Sequence, residues 1–144
     1  MQHRLLSRLA VLAFPVVLAG CGSSDPYDTV SVSGTVRYVD GSRIPAGRIT
    51  LFFLPQVSAV DAKTYPRNAT AEVNVEDGTF SNASTFSFGD GVIPGTQKVV
   101  VRAYSENDEP SPAVPEKYGN VDTTPLEVQI EGKTKSLVLE ISKP

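Results

Sequence analysis

From Thr29 onward, apolar side chains recur at every second position, interrupted by clusters of Gly, Pro and Asp. Alternation with period two puts successive side chains on opposite faces of an extended chain, so each run buries one face and wets the other. In "TVSVSGTVRYV", Val30, Val32, Val36 and Tyr38 share one face and Thr29, Ser31, Ser33, Thr35 and Arg37 the other. In "RITLFFLP", Ile49, Leu51 and Phe53 alternate, while Phe52 and Leu54 make the second face apolar too. That composition predicts a strand inside a sheet or under a covering loop. "ATAEVNV" sets Ala71, Val73 and Val75 against Thr70, Glu72 and Asn74. Glu76-Asp77-Gly78 then predicts a hairpin turn, because Asp-Gly suits tight turns that need positive φ. "TFSNASTF" is expected as the return strand, with Phe80 inward. "TQKVVVRAY" places Val99, Val101 and Ala103 opposite Lys98, Val100, Arg102 and Tyr104. The chain closes with "PLEVQIEG" and "KSLVLEIS", where Leu126, Val128 and Ile130 are expected to face Leu137, Leu139 and Ile141 across a turn at Gly132-Lys133.

These runs predict seven short strands and no helix, with the eleven Pro and eleven Gly falling mostly between them. The expected fold is all-β: a seven-stranded antiparallel β-sandwich over residues 29–144. No spaced Cys-Trp-Cys set is present, so an antibody-type domain is not indicated. The expected core is Val32, Val36, Ile49, Leu51, Phe53, Val73, Phe80, Val99, Val101, Leu126, Val128, Leu137 and Leu139.

The first residues follow a different logic. Arg4 and Arg8 precede an apolar stretch from Leu9 to Ala19, broken once by Pro15. The stretch is shorter than the roughly 20 apolar residues that span a bilayer, and it suits the h-region of a secretory signal. Leu18-Ala19-Gly20-Cys21 follows, and resembles the bacterial lipobox at all four positions. The resemblance implies a signal peptide over 1–20 and a mature chain that begins at Cys21 with diacylglycerol on its sulfur. Such chemistry accounts for the single cysteine, since a thiolate is the nucleophile able to take a lipid as a thioether. Residues 21–28 then read as a lipidated linker. Gly22 stands where some envelope systems place a retention Asp, so by that resemblance the outer membrane is favoured over the inner.

Removal of residues 1–20 takes away His3, the only histidine, along with Arg4 and Arg8. The net charge moves from -3 to -5 with the loss of those two arginines. The remaining basic residues are scattered, so nucleic acid is not an expected partner. With no histidine and no free thiol, Ser-His-Asp and Cys-His nucleophilic sites are excluded, as is zinc held by histidine or cysteine. Asp40, Glu76, Asp77 and Asp90 lie in turns without EF-hand spacing, and a tight turn explains them without calcium. No metal and no cofactor are expected. Glu106, Asp108 and Glu109 in "SENDEPSP" read as a solvated acidic loop.

Several segments resemble carboxypeptidase regulatory-like, transthyretin-like domains. "VSGTVRYVDGSRIPAGRITLFFLP" is similar to their V-x-G-x-V opening, turn and second strand. "NVEDGTFS" is similar to their T-D-x-D-G-x-F, and "GVIPGTQKVVV" to a Pro-Gly entry into a strand. "VPEKYGNVDTTPLEVQI" resembles a segment of small secreted bacterial lipoproteins that carry this domain. The resemblance implies a prealbumin-like sandwich and no activity, since such domains serve as accessory or binding modules. The hydroxyisourate hydrolases of that fold need histidines and a Tyr-Arg-Gly-Ser tail, whereas this chain ends Ile141-Ser142-Lys143-Pro144.

The long connection from Ser105 to Pro125 carries two readings. Connections beyond about 12 to 15 residues are often functional, and Lys117, Tyr118 and Asn120 make a candidate binding loop. Alternatively, Pro115, Tyr118 and Pro125 pin the loop to the domain, with Tyr118 covering an edge or end of the core. The expected function is a membrane-anchored extracytoplasmic lipoprotein whose non-catalytic domain is a binding or structural module, with envelope proteins or glycans as partners. The alternative is a small hydrolase using carboxylates or Lys117.

Overall fold

Every alternating run contains a strand, and one breaks off far short of its expected extent. The computed structural model describes residues 25–144. It contains β1 (Val32–Tyr38), β2 (Arg48–Pro55), β3 (Ala69–Val73), β4 (Thr79–Phe80), β5 (Gly95–Tyr104), β6 (Glu127–Ile130) and β7 (Thr134–Ile141), with a 3-10 turn at Glu116–Gly119. The exception is β4. Its pairing stops after Phe80, and Asn82 takes a φ of 55°, outside the strand region. The segment expected to continue that strand leaves it as a loop, touching β3 again only at the Thr70–Ser84 bridge.

The strands form one mixed sheet in the order β6-β5-β2-β3-β4-β1-β7. The domain is therefore all-β, but not purely antiparallel. β7 returns to lie beside β1 in parallel, pairing Val36 with Leu139 and Tyr38 with Ile141. The expected hairpin between the last two strands does not form, because β6 pairs with β5 and β7 with β1. A bulge sets the parallel register: between Val32–Thr134 and Gly34–Leu137, β7 advances one residue more than β1. Ser136 takes up the extra residue at φ 62°.

Paired residues on neighbouring strands point to the same side of a sheet, so register identifies the buried face. Leu139, Val36, Phe80, Val73, Ile49 and Ala103 follow one another across the ladder or one step apart, and all are buried in one cluster. Residues from both ends of the ladder thus meet in a single core, which requires the sheet to curl round its own apolar face. Phe53 of β2 and Phe80 of β4 cross that core with ring centroids 5.9 Å apart. Leu126, Val128 and Leu137, expected inside, are only half-buried and pack against the core from its rim. They belong to the two terminal strands of the ladder and the approach to one of them, where one neighbour is missing. Phe52, on the outer face of β2, has the Arg102 guanidinium 5.1 Å from its ring centre; β2 itself lies between β3 and β5.

The barrel-like wrap has two poles. One gathers Val30 and the segments 56–68 and 81–94; the other gathers the turns at 39–47 and 74–78, the 105–119 connection and the C-terminus. At the second pole Lys143 pairs with Asp40, and with Ser42 it holds that carboxyl well below the usual carboxylate range. Gly78 turns the chain there with φ 76°.

Two substitutions test this packing. Phe80 is 3% exposed, so Phe80→Ala should cost about 3 to 5 kcal/mol in urea unfolding. A side chain on Gly34 would put its Cβ 1.9 Å from the Leu137 carbonyl oxygen. Gly34→Ala should therefore cost about 1 to 3 kcal/mol by forcing β1 and β7 apart. A loss below about 1 kcal/mol for both, against those ranges, would contradict the register.

Candidate functional site

The 105–125 connection is folded onto β5 rather than left free. Ser111 donates to the Ala103 carbonyl at 2.9 Å, Thr124 Oγ1 to the Val99 carbonyl at 2.7 Å, and Val99 N–H to the Leu126 carbonyl at 2.9 Å. The segment thereby occupies backbone groups of β5 beyond the reach of the short β6. Arg48 anchors its start, pairing with Asp108 at 2.9 Å and stacking 4.2 Å above the Tyr104 ring.

The three candidate residues of this loop do not converge. Tyr118 is 5% exposed and belongs to the core cluster. Its hydroxyl donates to Ser142 Oγ at 3.3 Å and accepts the Ser142 N–H at 2.8 Å. Lys117 is exposed, with its ammonium 5.0 Å from the centre of the Tyr118 ring. Asn120 is exposed too, and its side chain accepts the Asp122 N–H at 2.9 Å, which makes it a turn-former. Of the three, Asn120 alone lines the adjoining groove of about 440 Å³, with Arg102, Tyr104, Pro115 and Glu116. Tyr38 fixes the same segment from below by donating to the Ala113 carbonyl at 2.7 Å.

The turn carboxylates have local partners. Asp77 accepts the N–H and hydroxyl of Thr79, and Asp61 accepts the N–H groups of Lys63 and Thr64. Asp90 does the most. Its two oxygens accept the N–H groups of Thr85, Phe86 and Ser87 at 2.7 to 3.0 Å. Burial pushes the Asp90 carboxyl up, but these three donors outweigh it and hold it below the ordinary carboxylate range. Among the described residues, no three His, Cys, Asp or Glu side chains come together to hold a metal.

The feature that sequence reasoning missed is the first pole. Phe88 is 88% exposed, Tyr65 65% and Val60 64%. Phe86, half-buried, lines a groove of about 600 Å³ over β3 together with Phe88, Thr70 and Glu72. Arg67 holds its guanidinium 5.6 Å from the Phe86 ring centre. In "STFSFGDG" the aromatics fit the alternation of a continuing strand; the Gly-Asp-Gly after them was the sign of a capped loop. The segment that follows residues 1–24 reaches the same pole. Tyr27 donates to the Thr64 carbonyl and accepts the Val60 N–H, each at 3.1 Å. Cys21, with Leu18, Ala19 and Gly20, lies outside the described residues. No family model, curated protein or solved structure matches the chain.

Tyr118→Phe removes a hydroxyl that bridges to the C-terminus, and should cost about 1 kcal/mol of stability. Lys117→Ala and Asn120→Ala should each stay within about 0.5 kcal/mol of the parent. Chemical unfolding distinguishes the pinning residue from its exposed neighbours. Asp90 makes a second, pH-dependent prediction. Its folded pKa is depressed, so its contribution is present above the unfolded value of about 3.9 and is lost as the pH falls through the folded one. Hydrogen exchange at Thr85, Phe86 and Ser87 should accelerate over that acid range beyond the intrinsic rate. Asp90→Asn should remove the pH dependence and leave these amides weakly protected throughout.

Proposed function

We propose that this chain is a lipoprotein of the bacterial cell envelope, anchored through Cys21, whose domain is a non-catalytic binding or structural module. The observation that carries the reading is Leu18-Ala19-Gly20-Cys21 at the end of a basic and then apolar leader. Two or three acyl chains on one residue hold a protein firmly at a bilayer, where one chain binds only marginally. The lipid would do the work of a spanning segment; among the described residues no helix is long and apolar enough to cross a membrane. A domain that begins within a few residues of Cys21 suits a module displayed at the membrane surface. Gly22, in the place of a retention Asp, favours the outer membrane.

We read the domain as a prealbumin-like sandwich formed by rolling one sheet. The two-residue β4 is the natural line of the fold, with β6-β5-β2-β3 on one side and β1-β7 on the other. The absence of histidine and cysteine from residues 22–144 supports a binding role over nucleophilic catalysis. Envelope proteins or glycans are the expected partners.

Intact mass settles the anchor. The membrane-extracted protein should exceed the peptide mass of residues 21–144 by its lipid, and Cys21→Ser should accumulate as precursor retaining residues 1–20. A mature form at the bare peptide mass would refute the reading.

A further inference from the structure

We propose that the pole carrying Val60, Tyr65, Phe86 and Phe88 rests on the phospholipid surface in which the chain is anchored. The proposal builds on lipidation of Cys21. Among the described residues, three of the five exposed large apolar side chains, Val60, Tyr65 and Phe88, lie at this pole. Asp90 fixes the loop that carries Phe88 by accepting the N–H groups of the three residues before it, so the exposure of Phe88 is built into the loop. A rigid, solvent-facing phenylalanine keeps its apolar area in water unless something covers it.

Tether length says what covers it. Residue 25 is the fourth after Cys21. At about 3.3 to 3.6 Å per residue, full extension spans only about 14 Å. Tyr27 fixes where that tether enters the domain, beside Val60 and Thr64. An anchored chain therefore keeps this pole within reach of the headgroups, and tilting brings Phe88 and Tyr65 into contact. Aromatic rings favour the interface between headgroup and acyl chain. Lys63 and Arg67 at the same pole can meet lipid phosphates. Asp25, Asp61 and Asp90 lie there as well, and the last two are occupied by backbone donors. The charges of both signs make aromatic insertion, rather than attraction to anionic lipid, the main contribution. Contact should persist in zwitterionic membranes.

The opposite pole is the built-in control. Val39 is 64% exposed. It lies nine residues after Val30, just past the far end of β1, about 30 Å at strand rise. The chain has no tryptophan, so one introduced indole reports alone. The test uses full-length lipidated protein carrying Phe88→Trp or Val39→Trp. Each is reconstituted in phosphatidylethanolamine–phosphatidylglycerol vesicles and in phosphatidylcholine vesicles, with and without bromine on the acyl chains. Intact mass checks the lipid on Cys21 in each sample, and far-ultraviolet circular dichroism checks the fold.

The indole at position 88 should emit blue-shifted and lose intensity in brominated vesicles of both compositions. The indole at position 39 should show neither effect. Water-like, unquenched emission from position 88 in protein whose mass includes the lipid overturns the docking and leaves the anchor standing. Shielding from aqueous acrylamide without quenching by brominated lipid also overturns it, since a protein surface then covers the pole. A mass without lipid removes the anchor and the docking together.

Discussion

A sheet with one apolar face must cover that face, and the described residues offer no helix for the purpose beyond the single 3-10 turn at Glu116–Gly119. The sheet covers itself. Its buried positions run in register from β6 to β7 and converge in one cluster, so curling is a consequence of the pattern. The close approach of Gly34 to Leu137 makes the last step of that curl feasible, because only a residue without Cβ lets the backbones meet there. The bulge at Ser136 then restores the inward aim of Leu139 and Ile141. The 105–125 connection completes the enclosure by supplying Tyr118 to the core and hydrogen-bond partners to β5.

The sequence revealed which face each strand buries more readily than which strand it joins. Alternation specifies the side on which a residue points, and Val36, Leu51, Phe53, Val99 and Leu139 point inward as their spacing requires. Neighbours are a tertiary matter. Leu126–Ile130 and Leu137–Ile141 flank a short Gly-containing link, the ordinary sign of a hairpin, yet each strand finds a better-matched partner elsewhere. β4 is shorter than expected although Phe80 and Phe86 keep the period of a strand. Ala83 is buried by a loop, and Thr85 is held by Asp90. In the candidate loop, Lys117 and Tyr118 are adjacent in the chain and point to different environments, one to solvent and one to the core. No local pattern distinguishes them. Phe88 was hidden for the opposite reason: Phe86 and Phe88 keep the spacing of a strand, but Asp90 ties their segment into a loop that leaves Phe88 exposed.

Polar side chains in this domain serve mainly to fix turns. Asp61, Asp77 and Asp90 each accept backbone N–H groups two to five residues away, and Asn74 and Asn120 do the same. A carboxylate that neutralises the donors of its own loop has less capacity left for a metal or a substrate. The same groups give the surface its shape, and the loop capped by Asp90 is held rigid with two phenylalanines on it. Chemistry-bearing residue types are thus numerous in the chain and largely spent on local order.

The parallel strand also fixes when the fold can exist. Arg37 and Glu140, joined by an ion pair across β1 and β7, stand 103 positions apart. A chain that emerges from a ribosome or an export channel presents β1 first and β7 last. Until β7 arrives, β1 has only the two-residue β4 as a strand partner, and the inward sides of Val36 and Tyr38 remain uncovered. The β1–β7 pairing joins the segments most distant in sequence, so its contacts close the largest loop of the domain and form late. A product ending before Leu139 would lack the strand that closes the sheet beside β1, so the domain can curl shut only once β7 has been made.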